Sequence, residues 1–264
     1  MNVISTGKVA CSIQLLRNAT IVIRIGNTTL LVDPMLSAKG AMDPVPNAGN
    51  DIRIPTTNLP LSDTELDHLL QEVDAVLITH THRDHWDVAA QKRLDKQKQI
   101  FCQPADVQKI KDQGFSQVTA IETSLEWNQF TLYRTGGQHG TSEIGKVMGP
   151  VSGFVIQHQH CTLYIAGDTI WCDEVADALQ TYKPQTTILN SGGAAFTTGG
   201  PIIMTAEDVQ KVLEHSPHTR VIAVHMEALN HCWLTRKELA SFLTTEGLLQ
   251  KVSIPVDGKT IQIS

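Results

Sequence analysis

Four side chains of the kinds that bind metal ions lie within six residues, directly after the apolar run 76–78. They are His80, His82, Asp84 and His85. Because a strand turns alternate side chains to opposite faces, His80 and His82 can point the same way, while Asp84 and His85 on a turning loop can point at a second position. The cluster contains no cysteine, and imidazole with carboxylate suits zinc, iron, manganese or nickel. It predicts a loop that leaves a buried strand and serves two neighbouring metal ions better than one.

Three more candidate ligands follow in contexts that suit metal binding. His139 lies in a glycine-rich segment, where small residues let the backbone approach closely. Asp168 and His225 close the apolar runs 163–166 and 221–224, which are typical of buried strands. An isolated His-x-His pair usually consists of solvated loop residues, but strand ends that repeatedly finish in metal-type side chains favour a metal site.

The order of these residues resembles the signature of the metallo-β-lactamase superfamily, HxHxDH followed by a histidine, an aspartate and a histidine. The resemblance covers most of the chain, from about residue 13 to residue 231. It implies two ligand sets and a bridge between them, which are His80, His82 and His139; Asp84, His85 and His225; and Asp168 as the bridge. It also implies that Asp33 supports the loop that carries residues 80–85, here called the metal loop, without binding metal.

Within the superfamily, the chain is most similar to the ascorbate-6-phosphate lactonase-like branch and to phospholipase D-like members that act on N-acyl ethanolamines. The similar segments are Val32-Asp33-Pro34 and Ala166-Gly167-Asp168-Thr169. Residues 226–231 depart from the pattern of that branch, so the resemblance leaves the substrate open. Redox diiron members carry glutamate where this chain has His82, which favours hydrolysis.

The resemblance implies an enzyme with two divalent metal ions, with zinc favoured and manganese or iron as alternatives. Two such ions, roughly 3.5–4 Å apart, can share a hydroxide whose pKa is near neutral. This hydroxide would cleave a small ester, lactone or phosphodiester. Asp84 is expected to orient the nucleophile or carry its proton. His231 is a second catalytic candidate, as a general acid or an oxyanion donor, with a helix-capping or surface role as the alternative.

Two other functions stay open on the same ligands. One is an iron-dependent oxygenase or a thiol-processing enzyme, and the other is a metal-binding scaffold without turnover. A scaffold is disfavoured because structural metal sites are normally closed, whereas this ligand set leaves metal positions open to solvent.

Composition limits the partners of the chain. It carries 27 acidic and 21 basic residues, a formal net charge of −6, and no run of Lys or Arg, which disfavours a nucleic-acid partner. No segment approaches about 18 uninterrupted apolar residues, and residues 1–8 lack the apolar core of an export leader. We therefore expect a cytoplasmic protein with no membrane partner and a small-molecule substrate, and a homo-oligomer stays open. The five cysteines lack CxxC spacing and predict no disulfide framework.

Short β-branched runs at 12–17, 20–25 and 28–32 open the chain as an antiparallel meander, with Gly26-Asn27 as a hairpin turn. Apolar runs and helical segments then alternate. The pattern predicts an α/β fold, with residues 1–264 as one domain. The fold that the resemblance implies is a four-layer αβ/βα sandwich, two mixed sheets with helices outside.

Local signals mark helix starts and one irregular region. Ser62, Thr205 and Thr235 are each followed three residues later by an acidic residue, which is the pattern of a capping box. Residues 35–60 are rich in proline and show no clean period. Such a segment is typical either of a functional loop or lid or of a plain surface excursion.

Overall fold

The computed structural model describes residues 10–263, which form two β-sheets covered by helices. The prediction that residues 1–8 form no export leader lies outside this range. The strands are β1 Cys11–Arg17, β2 Thr20–Ile25, β3 Thr28–Val32, β4 Ala75–Ile78, β5 Gln99–Cys102, β6 Val118–Ala120, β7 Ser124–Trp127, β8 Phe130–Thr135, β9 Gly153–His158, β10 Cys161–Ile165, β11 Thr186–Asn190, β12 Arg220–Val224, β13 Val252–Ser253 and β14 Thr260–Ile263. The α-helices are α1 Asp63–Glu72, α2 Val88–Arg93, α3 Val107–Asp112, α4 Ser142–Met148, α5 Asp173–Tyr182, α6 Ala206–His215 and α7 Arg236–Thr245.

Each sheet has seven strands in the described range. Their orders are β14-β1-β2-β3-β4-β5-β6 and β13-β12-β11-β10-β9-β8-β7. In the first sheet β3 to β6 are parallel, and the pairs of β14, β1, β2 and β3 are antiparallel. In the second sheet β10 to β13 are parallel, and the pairs from β7 to β10 are antiparallel. Both sheets are therefore mixed, which confirms the prediction.

An apolar core lies between the two sheets. It contains Ile13, Ile23 and Leu77 from the first sheet and Leu163 and Ile222 from the second, all fully buried. Because successive side chains of a strand alternate between its faces, the intervening residues point away from this core and need a second cover. The helices supply that cover.

Helices pack on the outer face of each sheet. Leu66 of α1 packs in one cluster with Val76 of β4, on the first sheet. Val209 of α6 and Leu239 of α7 pack with Leu189 of β11, on the second sheet. The order helix, sheet, sheet, helix confirms the predicted αβ/βα sandwich.

The local signals agree with the structure in most places. Strands β2 and β3 have the predicted bounds, and all three capping boxes form, at Ser62, Thr205 and Thr235. Helix α4 was not predicted. Its N-cap residue Thr141 makes no side-chain capping bond, and the helix buries no residue fully. The sequence therefore carries neither a capping signal nor an apolar period for this helix. The five cysteines are free thiols, as predicted. None of the helices in residues 10–263 has both the length and the hydropathy needed to cross a membrane.

Candidate metal centre

The carboxyl ends of several strands meet at one edge of the two sheets. Asp33 follows β3, the cluster at 80–85 follows β4, and Asp168 and His225 follow β10 and β12. His139 follows β8, which runs in the same direction as β10 because both are antiparallel to β9. Open α/β sheets characteristically bind ligands at such an edge. The topology thus brings the sequence-predicted ligands together from both halves of the chain.

His80, His82 and His139 form the first group of ligand atoms, all within 4.8 Å of one another. The Nε2 atom of His80 lies 2.9 Å from Nδ1 of His82. His80 and His139 are buried, whereas His82 is partly exposed. The group is therefore open to solvent on the side of His82.

Asp84, His85, Asp168 and His225 form the second group, also within 4.8 Å of one another. The Nε2 atom of His225 lies 3.1 Å from Oδ2 of Asp84 and 3.3 Å from Nε2 of His85. The same His85 atom lies 3.2 Å from Oδ2 of Asp168. Nitrogen and oxygen atoms that normally bind cations therefore crowd around one point.

The carboxylate of Asp168 lies between the two groups. Its Oδ2 atom is 3.5 Å from Nε2 of His139 and 3.9 Å from Nε2 of His80, in addition to its contact with His85 in the second group. The side-chain amide of Asn190 donates to the other oxygen, Oδ1, over 2.6 Å and fixes the carboxylate. The carboxylate of Asp168 is therefore close to ligand atoms of both groups.

Asp33 fixes the metal loop through hydrogen bonds. Its Oδ1 atom accepts a hydrogen bond from the backbone N–H of Thr79 over 2.8 Å. Its Oδ2 atom accepts from the Thr79 hydroxyl over 2.6 Å and from Nδ1 of His85 over 2.8 Å. Both carboxylate oxygens are thus occupied by the loop, which agrees with the supporting role that the resemblance implied.

Hydrogen bonds at Nδ1 orient three histidines toward the centre. Nδ1 of His80 contacts the hydroxyl of Thr79 at 3.1 Å, and Nδ1 of His139 donates to the carbonyl of Ile202 over 2.7 Å. Nδ1 of His85 likewise donates to the carboxylate of Asp33. A neutral imidazole that donates from Nδ1 carries a lone pair on Nε2. Burial also lowers the pKa of His80 and His139, which keeps these two rings neutral.

The second group attracts positive charge. Burial disfavours the charged carboxylates of Asp84 and Asp168, yet the neighbouring histidines hold the pKa of both groups well below its usual value. Burial likewise opposes protonation of His85 and His225, but the carboxylates raise the pKa of both rings well above the usual value. Divalent cations would meet the same demand while they accept the converging lone pairs, so the residues fit metal ions.

Two residues have positioning roles that the sequence does not specify, although the segment 190–193 is a weak sequence candidate for the edge of the site. Asn18, in the turn after β1, donates from Nδ2 to the carbonyl of Asp84 over 3.2 Å and accepts the backbone N–H of His225 over 2.9 Å. Gly192 is required because a Cβ atom there would lie 2.1 Å from the carbonyl oxygen of His225. Asparagine and glycine after a strand also signal ordinary turns, so nothing in the sequence separates these two roles.

A cavity of about 420 Å³ opens over the two ligand groups. Its polar lining consists of His82, Arg83, Asp84, His139, Asp168 and His231, and its apolar lining of Pro44, Val45, Pro46, Met148 and Phe196. Three of these residues belong to the irregular segment 35–60. Of the two interpretations of that segment, the functional loop is the one that agrees with this position.

The irregular segment is fastened to the body of the protein. Asn230 exchanges two hydrogen bonds with the backbone of Val45, at 2.9 and 3.1 Å. The buried guanidinium of Arg17 donates to the carbonyls of Met35 and Thr57, over 2.8 and 2.9 Å. The wall that the segment gives to the cavity is therefore fixed in place.

His231 lies in the cavity wall, where its ring stacks on Phe196 at a centroid distance of 5.9 Å. Its Nδ1 atom is buried and has no hydrogen-bond partner among the described residues. Burial lowers the pKa of His231 to about 4, so its ring is neutral near pH 7. A neutral imidazole suits a hydrogen-bond donor better than a general acid.

Comparison with known proteins shows to which family the chain is similar. A family model described as a beta-lactamase superfamily domain matches residues 28–226. The UPF0173 protein YddR of Bacillus subtilis strain 168 is 37% identical over 253 residues, which cover 94% of this chain and 98% of that protein.

Two solved structures are similar over nearly their whole length. The isothiocyanate hydrolase from Delia radicum gut bacteria is 38% identical with a TM-score of 0.89, over 95% of this chain and 98% of that one. A possible metal-dependent hydrolase from Veillonella parvula DSM 2008 is 36% identical with a TM-score of 0.91, over 97% of this chain and 100% of that one.

Proposed function

This chain belongs to the UPF0173 family of the metallo-β-lactamase superfamily and is a metal-dependent hydrolase. From that premise we propose that it uses two divalent ions to hydrolyse a small, neutral electrophile. The observation that carries the proposal is the position of the Asp168 carboxylate, between two groups of ligand atoms and in the wall of a cavity.

The proposed metal ligands keep the sets that the resemblance implied. They are His80, His82 and His139 for one ion, Asp84, His85 and His225 for the other, and Asp168 for both. Zinc is the first candidate, with manganese or iron as alternatives, because the set combines imidazole with carboxylate and lacks thiolate. When bound, the ions would supply a water of lowered pKa and positive charge opposite the developing anion.

Two side chains of the cavity are the proposed catalytic residues. Asp84 lines the cavity, and its carboxylate can orient the attacking water and accept its proton. His231 can donate a hydrogen bond to the substrate atom on which negative charge develops, because its neutral ring retains one N–H.

The cavity wall favours an uncharged substrate. Its apolar residues come from three parts of the chain, and Arg83 is the one permanent cation among its described lining residues. Arg83 already donates to the carbonyl of Pro44 over 3.0 Å. Apart from the proposed metal ions, the wall offers little cationic support for the negative charge of a phosphodiester or a phosphorylated lactone. Neutral esters, lactones and isothiocyanates fit this wall better.

An isothiocyanate is our first candidate, because a hydrolase of that name is 38% identical to this chain. Water would add across the N=C bond of the isothiocyanate, and the resulting thiocarbamate would release an amine and carbonyl sulfide. The reaction consumes one water and needs no other reactant. The lactonase-like assignment stays a prediction, and neutral lactones and esters are therefore the comparison substrates.

The test uses benzyl isothiocyanate, a neutral phenyl ester, a small lactone and a phosphodiester with the metal-loaded protein. We expect benzyl isothiocyanate to give the highest kcat/KM, with benzylamine as the measured product. Faster turnover of the ester or the lactone would replace the isothiocyanate by that class. Turnover of none of the four would contradict the proposed substrate range.

Metal content provides a separate prediction. Elemental analysis of the protein is expected to find about two zinc or manganese ions per chain. Removing them with a chelator should abolish hydrolysis and lower Tm, because the ligands join both sheets; a site at a thousandfold excess of metal over Kd contributes about 4 kcal/mol to stability. Adding zinc back should restore both properties.

Other results of the metal measurement would support the alternatives. Iron as the main metal would favour the oxygenase or thiol-processing enzyme. A protein that binds metal and gains stability but turns over nothing would favour the scaffold. One ion per chain after reconstitution would overturn the binuclear site. The one-domain assignment, the cytoplasmic location and the homo-oligomer stay predictions.

A further inference from the structure

A second cavity, of about 490 Å³, adjoins the cavity over the ligand groups. Pro46 and Phe196 line both cavities. The other lining residues of the second cavity are Asn47, Glu143, Ile144, Val147, Thr198 and Gly199. The carboxylate of Glu143 is paired with Nζ of Lys146 at 2.7 Å, and the wall is otherwise uncharged.

The walls of the second cavity are fixed to one another. Ile144 of α4 packs with Phe196 and the buried Ile202 in one apolar cluster. Gly199 allows Ile144 to lie close to the backbone, since a Cβ atom at Gly199 would lie 3.0 Å from Cδ1 of Ile144. Across the cavity, the backbone N–H of Thr197 donates to the carbonyl of Asn47 over 2.8 Å. The second cavity is therefore built into the fold, and it shares two wall residues with the site.

One wall residue is unusually exposed to solvent for a side chain with no polar atom. Val147 is 82% exposed although it is a large apolar residue on a helix that faces a cavity. An apolar group placed in the cavity would remove such surface from water, which is favourable in proportion to the area covered. Val147 is thus positioned to contact a ligand and to contribute little to folding.

We propose that the second cavity binds the organic substituent of the substrate, an uncharged alkyl or arylalkyl group, and thereby determines which substrates are preferred. This inference rests on the proposed hydrolysis at the metal centre. The reacting carbon would lie near Asp168, and the substituent would pass between Pro46 and Phe196 into the second cavity. Val147 and Ile144 would then act as specificity-determining residues without touching the reacting atoms.

The test compares methyl, butyl and hexyl isothiocyanate. For the unmodified protein, kcat/KM is expected to rise about threefold to fourfold for each added methylene that becomes buried. In Val147→Asp, kcat/KM for the hexyl substrate should fall roughly tenfold, because the new carboxylate borders the apolar group, while the methyl substrate should be unaffected. Val256→Asp is the matched control, since Val256 is 64% exposed and lines neither cavity.

Failure of this inference can be distinguished from failure of the proposed function. Equal kcat/KM values for the three substrates, or an equal loss for methyl and hexyl in Val147→Asp, would overturn the role of the second cavity while hydrolysis itself stands. If the metal-loaded protein turns over no member of the series, the isothiocyanate proposal fails and the inference fails with it. A loss in Val256→Asp equal to that in Val147→Asp would also count against the inference.

Discussion

Replacing Asp168 by asparagine is expected to lower kcat/KM by at least about 10²–10³-fold, the loss that follows removal of one charge-stabilising group from an active site. Asparagine keeps the size of the side chain but removes the negative charge that both ligand groups face. It also places the amide of Asn190 next to a second amide instead of a carboxylate. The protein should therefore bind fewer than two ions per chain, measured by elemental analysis beside the kinetics.

A matched substitution separates this effect from a general loss of structure. Asp208 is also buried, caps α6 through the backbone of Thr205, and belongs to neither ligand group. Asp208→Asn should keep both ions and the original activity. If Asp168→Asn kept two ions and full activity, the carboxylate could not be the shared ligand, and the binuclear proposal would need a different bridge.

The second large effect concerns stability. Asp33→Ala is expected to lower the free energy of unfolding by about 3–5 kcal/mol, because removing one partner of a buried charged contact leaves the others unpaired. The groups that lose their acceptor are the backbone and hydroxyl of Thr79 and the ring of His85. Urea denaturation should be measured with and without a chelator.

The two denaturation series answer different questions. The contacts of Asp33 join protein groups only, so much of the loss should persist when metal is absent from both proteins. Asp43→Ala is the control, because the side chain of Asp43 is 80% exposed and its partner Arg53 is at the surface; such changes stay within about 0.5 kcal/mol. A loss below about 1 kcal/mol in Asp33→Ala would show that the loop does not depend on this carboxylate.

The residues that meet at the candidate metal centre could be predicted because they carry local signals that the topology preserves. Asp33, Asp168 and His225 follow apolar runs, and these runs became strands β3, β10 and β12. Parallel strands place their carboxyl ends at one edge, so residues distant in sequence meet without any signal beyond the runs themselves. The same reasoning applies to the strand bounds and capping boxes, which depend on neighbours within a few positions.

The parts that escaped prediction depend on contacts between distant segments. Asn18 contacts the backbone of Asp84 through its side-chain amide and the backbone of His225 through its carbonyl, and its sequence context is that of any turn. Helix α4 has no side-chain cap and buries no residue fully. The apolar cavity wall unites residues as far apart as Pro46 and Phe196, and no local pattern links them. We propose that substrate preference is determined in these regions, and no local sequence pattern describes them.

The path of the chain through the two sheets also determines when the centre can be assembled. His225, the final member of the second ligand group, follows β12, and the first sheet receives its outer strand β14 only from the end of the described chain, where it pairs with β1. A ribosome makes the amino-terminal residues first. A growing chain therefore carries its early histidines before their partners exist, and the complete set of proposed ligands is present only after residue 225 has been synthesised.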